Sequence, residues 1–215
     1  MSEPLTRELL VRAVEGPAIF PAPPRFPGVS AAAAVVVPVR IYPQPSALVV
    51  VRAATLADHA GELGFPGGKP HVGEPLRAAA SRELEEELAV VADEVDVLGE
   101  LTPIPVVTGK YLITPFVGLL SQRASPRIAS PELAEVIDVP LEPLLSGRQR
   151  IFGFYTDHGG VPFLLPHFRL GEHVLFGASA VIFFELVARL ARELSMTLPE
   201  LVVEDERPWG TRYPG

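Results

Sequence analysis

The segment GFPGGKPHVGEPLRAAASRELEEELAV, residues 64–90, places a glycine turn and an isolated glutamate ahead of a run crowded with carboxylates. Residues 74–88 have the length and residue preferences of a helix, with Pro75 in its first turn, where a missing N–H does no harm. At 100° per residue, Glu83, Glu86 and Glu87 fall within an arc of about 100°, while Glu85 points away. Ala80, Leu84, Leu88 and Val91 form the adjoining apolar stripe, so the acidic arc borders the buried face. Carboxylates one turn apart repel by roughly 0.2–0.5 kcal/mol, and partial burial raises the cost of an unpaired charge. Arg82 offsets one carboxylate but not three. The helix is therefore either a solvated face that tolerates the repulsion or a site for a hard dication. Mg2+ or Mn2+ would suit it, since these ions take carboxylate and carbonyl oxygens and bridge to substrate phosphates.

Around this segment the chain reads as one mixed α/β domain. AAAAVVVPVR (31–40) and SALVVVR (46–52) are β-rich runs separated by IYPQP, the pattern of a hairpin. Further strands are expected at 95–101 and 111–120, around the TPIPVVTG turn, and at 135–139. LEPLLSG reads as a short helix, and RIFGFYTD with VPFLLPHF as a second hairpin. Residues 178–196 form an apolar helix with charges at Glu185, Arg189, Arg192 and Glu193, and its Phe183, Phe184 and Leu186 belong to the core. Residues 1–16 suggest a short amphipathic helix, and the prolines of PAIFPAPPRFPG forbid regular structure after it. The expected organisation is an N-terminal arm over 1–30, a domain over 31–196 and a tail over 197–215, in which EDERPWGTRYPG is too polar and too rich in proline and glycine to pack regularly.

With 215 residues, 48% of them hydrophobic and 20% charged, the chain is long and apolar enough to fold around its own core. A net charge of -8 gives no electrostatic basis for binding DNA or long RNA. The lack of cysteine excludes disulfides, thiolate nucleophiles and zinc-thiolate sites. The N-terminus shows no continuous apolar run of a secretion signal, and the most apolar window, 174–184, is far short of a membrane span. A cytoplasmic protein without membrane contact is expected. The proline-rich arm leaves open a homodimer that exchanges residues 1–30.

Counting from Gly68, five residues precede Glu74, seven more precede Arg82, and the chain continues R-E-L-E-E-E-L-A-V. This resembles the Nudix box, G-x5-E-x7-R-E-U-x-E-E-x-G-U with U aliphatic, and several fixed spacings agree at once. The resemblance implies a Nudix-type α/β/α sandwich with a mixed central sheet. It also implies metal-dependent hydrolysis of a nucleoside diphosphate linked to another group. Carried over by position, Glu83, Glu86 and Glu87 would bind Mg2+ or Mn2+, with the Gly67 carbonyl as a further ligand. Arg82 would orient Glu83, and Glu74 would buttress the loop. Two residues compete as proton acceptor: Glu83, and Glu135, which resembles a glutamate completing some Nudix sites. A solvent-facing glutamate near a strand start is an equal reading of Glu135. Ala89 replaces the glycine that ends the box helix, so a longer or differently capped end is expected.

The likeness extends beyond the box. RAATLADHAGELGFPGG resembles the segment preceding it in coenzyme A diphosphatases, R-[SA]-x3-R-x3-G-x3-F-P-G-G, with Arg52, Ala53, Gly61, Phe65, Pro66, Gly67 and Gly68 in place. Coenzyme A or a derivative is thus the leading substrate, and Arg52 and Lys69 are candidate phosphate contacts. Phe65 is a candidate base contact. The bland alternatives are a strand-end arginine paired with Glu62 or Asp58, an exposed loop lysine and a loop-shaping phenylalanine. Ala57 stands where the second arginine belongs, and the interval from the glycine to Arg82 is one residue shorter than in that group. ADP-ribose, dinucleotides and nucleoside triphosphates therefore stay open. His59 and His71 lack the spacing of a metal-ligand pair. A GxxxxGK[ST] phosphate loop fails, because Leu63 replaces its first glycine and Pro70 follows the lysine. A rival from another class is a Nudix-fold sensor that binds a nucleotide without turnover; such a module needs no complete acidic set.

Overall fold

In the computed structural model, which describes residues 4–20, 31–106, 111–158 and 161–207, helix α1 (Arg7–Glu15) precedes the long strands β1 (Ala31–Arg40) and β2 (Ser46–Arg52). Most of the proline-rich arm, part of the TPIPVVTG turn and the end of the tail lie outside the described residues. Strands β1 and β2 form the expected hairpin, pairing Val39 with Ala47 and Arg40 with Ser46. They then part, and the chain returns between them. Strand β3 (Leu63–Gly64) pairs with β2, and β4 (Gly67–Gly68) pairs with β1. Glycine is needed at 67, because a Cβ there would stand 2.6 Å from the Val35 Cα.

Helix α2 (Leu76–Leu88) follows, then β5 (Val95–Glu100), β6 (Ile104–Pro105) and β7 (Tyr111–Leu120), which runs parallel to β1. Strand β8 (Leu133–Pro140) covers the other side of β2 and leads into α3 (Leu141–Leu145). A second sheet is built from β9 (Phe152–His158), β10 (Val161–Leu170) and β11 (His173–Leu175), and α4 (Gly177–Glu193) follows it. The chain then returns as β12 (Val202–Glu204), parallel to β9. Neither β11 nor β12 is expected from the sequence. Glu204, the first residue of EDERPWGTRYPG, instead accepts hydrogen bonds from His167 and Arg169.

Alternation along the strands creates the layers. Ala34, Val36, Leu48 and Val50 face Ala80, Leu84 and Leu88 of α2. Val37, Val39, Ala47, Val49 and Val51 face the opposite way, against Leu9 and Leu10 of α1 and Phe183, Leu186 and Leu190 of α4. The result is an α/β/α sandwich around a mixed sheet, as expected. Helices on both faces explain why β1 and β2 read as continuous apolar runs. Full burial of Leu84 and Leu88 contributes about 1.5–3 kcal/mol each toward seating α2. Among the described residues, no helix is long and apolar enough to cross a membrane.

Two details at α2 depart from expectation. Pro75 is the N-cap (φ -63°, ψ 142°) and not part of the first turn. A proline also disfavours the helical region for the residue before it, which puts Glu74 outside the helix. At the other end the helix stops at Leu88, and Ala89 adopts the left-handed conformation itself (φ 54°, ψ 31°). The end is fixed from outside: Arg127 N–H bonds the Leu88 carbonyl (3.0 Å) and Ala129 N–H the Glu87 carbonyl (2.9 Å). Ala89 therefore carries strain that glycine would not, and Ala89→Gly is expected to add about 1 kcal/mol of stability. Calorimetry should register this as a melting temperature higher by about 2–4 °C.

Candidate active site

Arg82 has five N–H groups, and all five are engaged. Nε and Nη2 reach the two oxygens of Glu74 at 3.0 and 3.1 Å, and Nη2 also reaches the Lys69 carbonyl at 3.1 Å. Nη1 donates to Glu83 Oε1 (2.9 Å) and Glu86 Oε2 (3.1 Å). Glu74 additionally accepts the His71 N–H at 2.8 Å. These donors, Arg82 foremost, hold the Glu74 carboxyl down at about 2. The fork thus ties the loop of residues 69–74 to the helix, with a planar geometry that lysine could not reproduce.

Beside this fork the glycines bring backbone and carboxylate together. A Cβ at Gly68 would stand 2.6 Å from the carboxyl carbon of Glu83. Glu87, one turn on, is only 7% exposed, and its Oε2 has no hydrogen-bond partner. Burial first, and the Glu83 charge second, push its carboxyl up to about 7; a backbone hydrogen bond from Gly67 and the charge of Arg52 act in the other direction. Glu86 lies further out, 57% exposed.

Among the described residues, no three acidic or imidazole side chains are arranged as a metal cage. Arg82 draws one oxygen each of Glu83 and Glu86 to itself. The donor set nonetheless suits a hard dication, because a buried carboxylate oxygen is left without a partner beside a second carboxylate that repels it.

The other sequence-derived candidates separate. Arg52 ends β2 where the pairing with β8 shifts register, and it stands on the α2 side of the sheet, opposite Leu133. Its Nη2 meets Glu132 Oε2 at 3.5 Å, not Glu62 or Asp58, and its Nε is buried without a partner. Glu62 instead meets His59 at 2.9 Å. Glu132 is a residue the sequence reading missed; its place depends on strand register, which no local motif announces.

Glu135 pairs with Val51, on the face turned away from α2. Its carboxylate, 56% exposed, lies 3.4 Å from His173 Nε2 in a cleft of about 400 Å3 that Ile137, Gln149 and Arg169 also line. The sheet therefore stands between Glu135 and the carboxylates of α2. Phe65 is buried against Phe183, with ring centroids 6.2 Å apart, so it supports the loop from within the core and is not available to a base. Lys69 is exposed with its Nζ 4.9 Å from the centre of the Tyr111 ring. His59 and His71 are also exposed, His71 lying 3.9 Å from Glu74.

Comparison with known proteins adds four likenesses. The family model of the NUDIX domain matches residues 31–155. The uncharacterized Nudix hydrolase NudL of Photorhabdus laumondii is 34% identical over 174 residues, covering 79% of this chain and 90% of that protein. NudL of Cronobacter sakazakii is 44% identical over 118 residues, covering 54% of this chain and 61% of that protein. Among solved structures, the MutT protein of Methanosarcina mazei aligns with 76% of this chain and 94% of its own, at 18% identity and a TM-score of 0.47.

Proposed function

This chain belongs to the Nudix hydrolase family, and from that premise we propose that it cleaves the diphosphate of coenzyme A or an acyl derivative with Mg2+ or Mn2+. The observation that carries the reading is the unpartnered, buried oxygen of Glu87 beside Glu83 on one face of α2. Glu83, Glu86, Glu87 and the Gly67 carbonyl would hold the dication. When bound, such an ion neutralises the diphosphate and acidifies a water.

The chain's own groups do the rest. Arg82 fixes Glu83 through Nη1, leaving the second carboxylate oxygen to accept the proton of the attacking water. The new P–O bond forms from that water as the bridging P–O bond breaks, and the second phosphate leaves. Arg52 and Lys69, on the rim of the same site, supply positive charge for phosphate oxygens. Glu135 is set apart from this chemistry by its position across the sheet. Coenzyme A is the leading substrate because Arg52, Ala53, Gly61 and the run Phe65 to Gly68 keep the spacing seen in its diphosphatases. Ala57, where that pattern has arginine, favours a second reading: a diphosphate without the 3'-phosphate, such as ADP-ribose or a dinucleotide.

A chromatographic screen with each dication decides. Coenzyme A should give adenosine 3',5'-bisphosphate and phosphopantetheine. Faster turnover of ADP-ribose or a dinucleotide would select the second reading, and ligand-induced thermal shifts without any product would establish a sensor.

A further inference from the structure

Two buried polar atoms of opposite charge are left unpartnered: Nε of Arg52 and Oε2 of Glu87. Their side chains are close enough for the Arg52 charge to act on the Glu87 carboxyl, yet no hydrogen bond joins them. An arginine and a carboxylate sharing a part-buried space ordinarily close into a bidentate pair. Here a third residue intervenes. Glu132 Oε2 takes Arg52 Nη2 at 3.5 Å, and its charge also reaches Glu87. A contact that long, on the exposed rim, is weak in itself, so it does not explain Glu132 as a stabilising ion pair.

The backbone holds Glu132 in place from both sides. Its carbonyl accepts the Ala53 N–H at 2.7 Å, and its own N–H donates to Ser130 Oγ at 3.2 Å. The loop just before it is fastened to the end of α2, because Ala129 N–H bonds the carbonyl of Glu87 itself. Arg52 sits where β2 and β8 shift register, an irregularity that re-aims a side chain. The loop that carries Glu132 and the helix that carries Glu87 are therefore braced against each other, with Arg52 beside both.

We infer that Glu132 is a positioning residue, which holds the Arg52 guanidinium off Glu87 and keeps that carboxylate open to the dication. This rests on the metal-site reading above. Without Glu132, Arg52 closes onto Glu87 and competes with the cation for its oxygens. With Glu132 present, Arg52 stays on the rim, where a substrate phosphate can replace the weak glutamate contact.

The test uses Mn2+ alone, with no nucleotide, and follows free Mn2+ by electron paramagnetic resonance. Glu132→Gln should weaken Mn2+ binding about tenfold, a typical effect for a residue behind a metal ligand. Arg52→Ala should leave binding at wild-type strength or tighter, and the double variant should recover wild-type affinity. That recovery is the signature. If Glu132 were itself a ligand, the double variant would bind as weakly as Glu132→Gln; if its role were only structural, Glu132→Gln would bind normally. Either result overturns the inference. Failure of the wild-type protein to bind Mn2+ would remove the metal-site reading along with it, whereas normal Mn2+ binding without turnover of any nucleotide would remove the hydrolase chemistry alone. Melting curves on each variant verify the fold, which Glu132, on the rim, should not disturb.

Discussion

Glu87→Gln is expected to cut hydrolysis by on the order of 10²–10³-fold while making the metal-free protein more stable at pH 8. Both effects have one cause. The wild-type carboxylate is buried, lacks a partner for Oε2 and faces the charge of Glu83, so in the absence of a cation it is a liability. A rise of its pKa from 4.5 to about 7 corresponds to on the order of 3 kcal/mol of disfavour for the charged form. Glutamine keeps the shape and removes the charge but buries an amide, so a gain of about 2 kcal/mol and about 4–8 °C in melting temperature is expected.

The sign of the pH dependence follows from linkage. Between pH 4.5 and about 7 the folded protein keeps a proton on Glu87 that the unfolded chain releases, so this residue makes stability fall as pH rises through that window. The advantage of Glu87→Gln should therefore be small near pH 4.5 and complete by pH 8. Adding Mn2+ should reverse the order, stabilising the wild type more than the variant. Equal stabilisation of the two proteins by Mn2+ at pH 8, or retained turnover, would show that this carboxylate does not hold the ion.

What the sequence made legible at this site was local. The spacing from Gly68 to Glu87 covers a turn and one helix, where 3.6-residue geometry alone places three carboxylates on one arc. Residues brought in by other strands were not legible. Glu132 and Glu135 are three positions apart, and which of them meets α2 depends on the register shift opposite Arg52, a feature of the β2 and β8 pairing. Phe65 illustrates the same difficulty within the motif: whether it faces substrate or core depends on Phe183, more than a hundred residues downstream. In the fold, β1 and β2 were readable because burial on both faces leaves an unbroken apolar run, whereas β12 has three residues beside charges and proline and is defined by its pairing with β9. Ala89 took the glycine conformation because the loop of residues 127–129 fixed the helix end, an external constraint that propensity does not record.

The second large effect is expected far from the acidic helix. Glu185→Ala should lower stability by about 3–5 kcal/mol, because it strands a buried positive charge. Glu185 is wholly buried and accepts four hydrogen bonds: the Thr102 N–H (3.0 Å), the Thr102 hydroxyl (2.6 Å), and Arg189 Nε and Nη2 (3.1 and 2.7 Å). Arg189 in turn donates through Nη1 to the carbonyls of Val14 (2.6 Å) and Gly16 (3.2 Å), which closes the C-terminal end of α1 onto α4. Arg189 depends on the carboxylate for neutrality, and the two Thr102 donors depend on it for an acceptor. Alanine would leave the guanidinium charged and two Thr102 donors unsatisfied, with a cavity beside them. Glu185→Gln, which keeps one acceptor oxygen, should fall between wild type and Glu185→Ala. Melting temperatures lower by about 6–20 °C are expected for alanine, with turnover per folded molecule preserved at low temperature, since Glu185 lies on the α4 side of the sheet. A drop of less than about 3 °C would mean that water or a neighbouring group satisfies Arg189 in place of Glu185, and that apolar packing by Leu9, Leu10 and Ala13 is enough to hold α1.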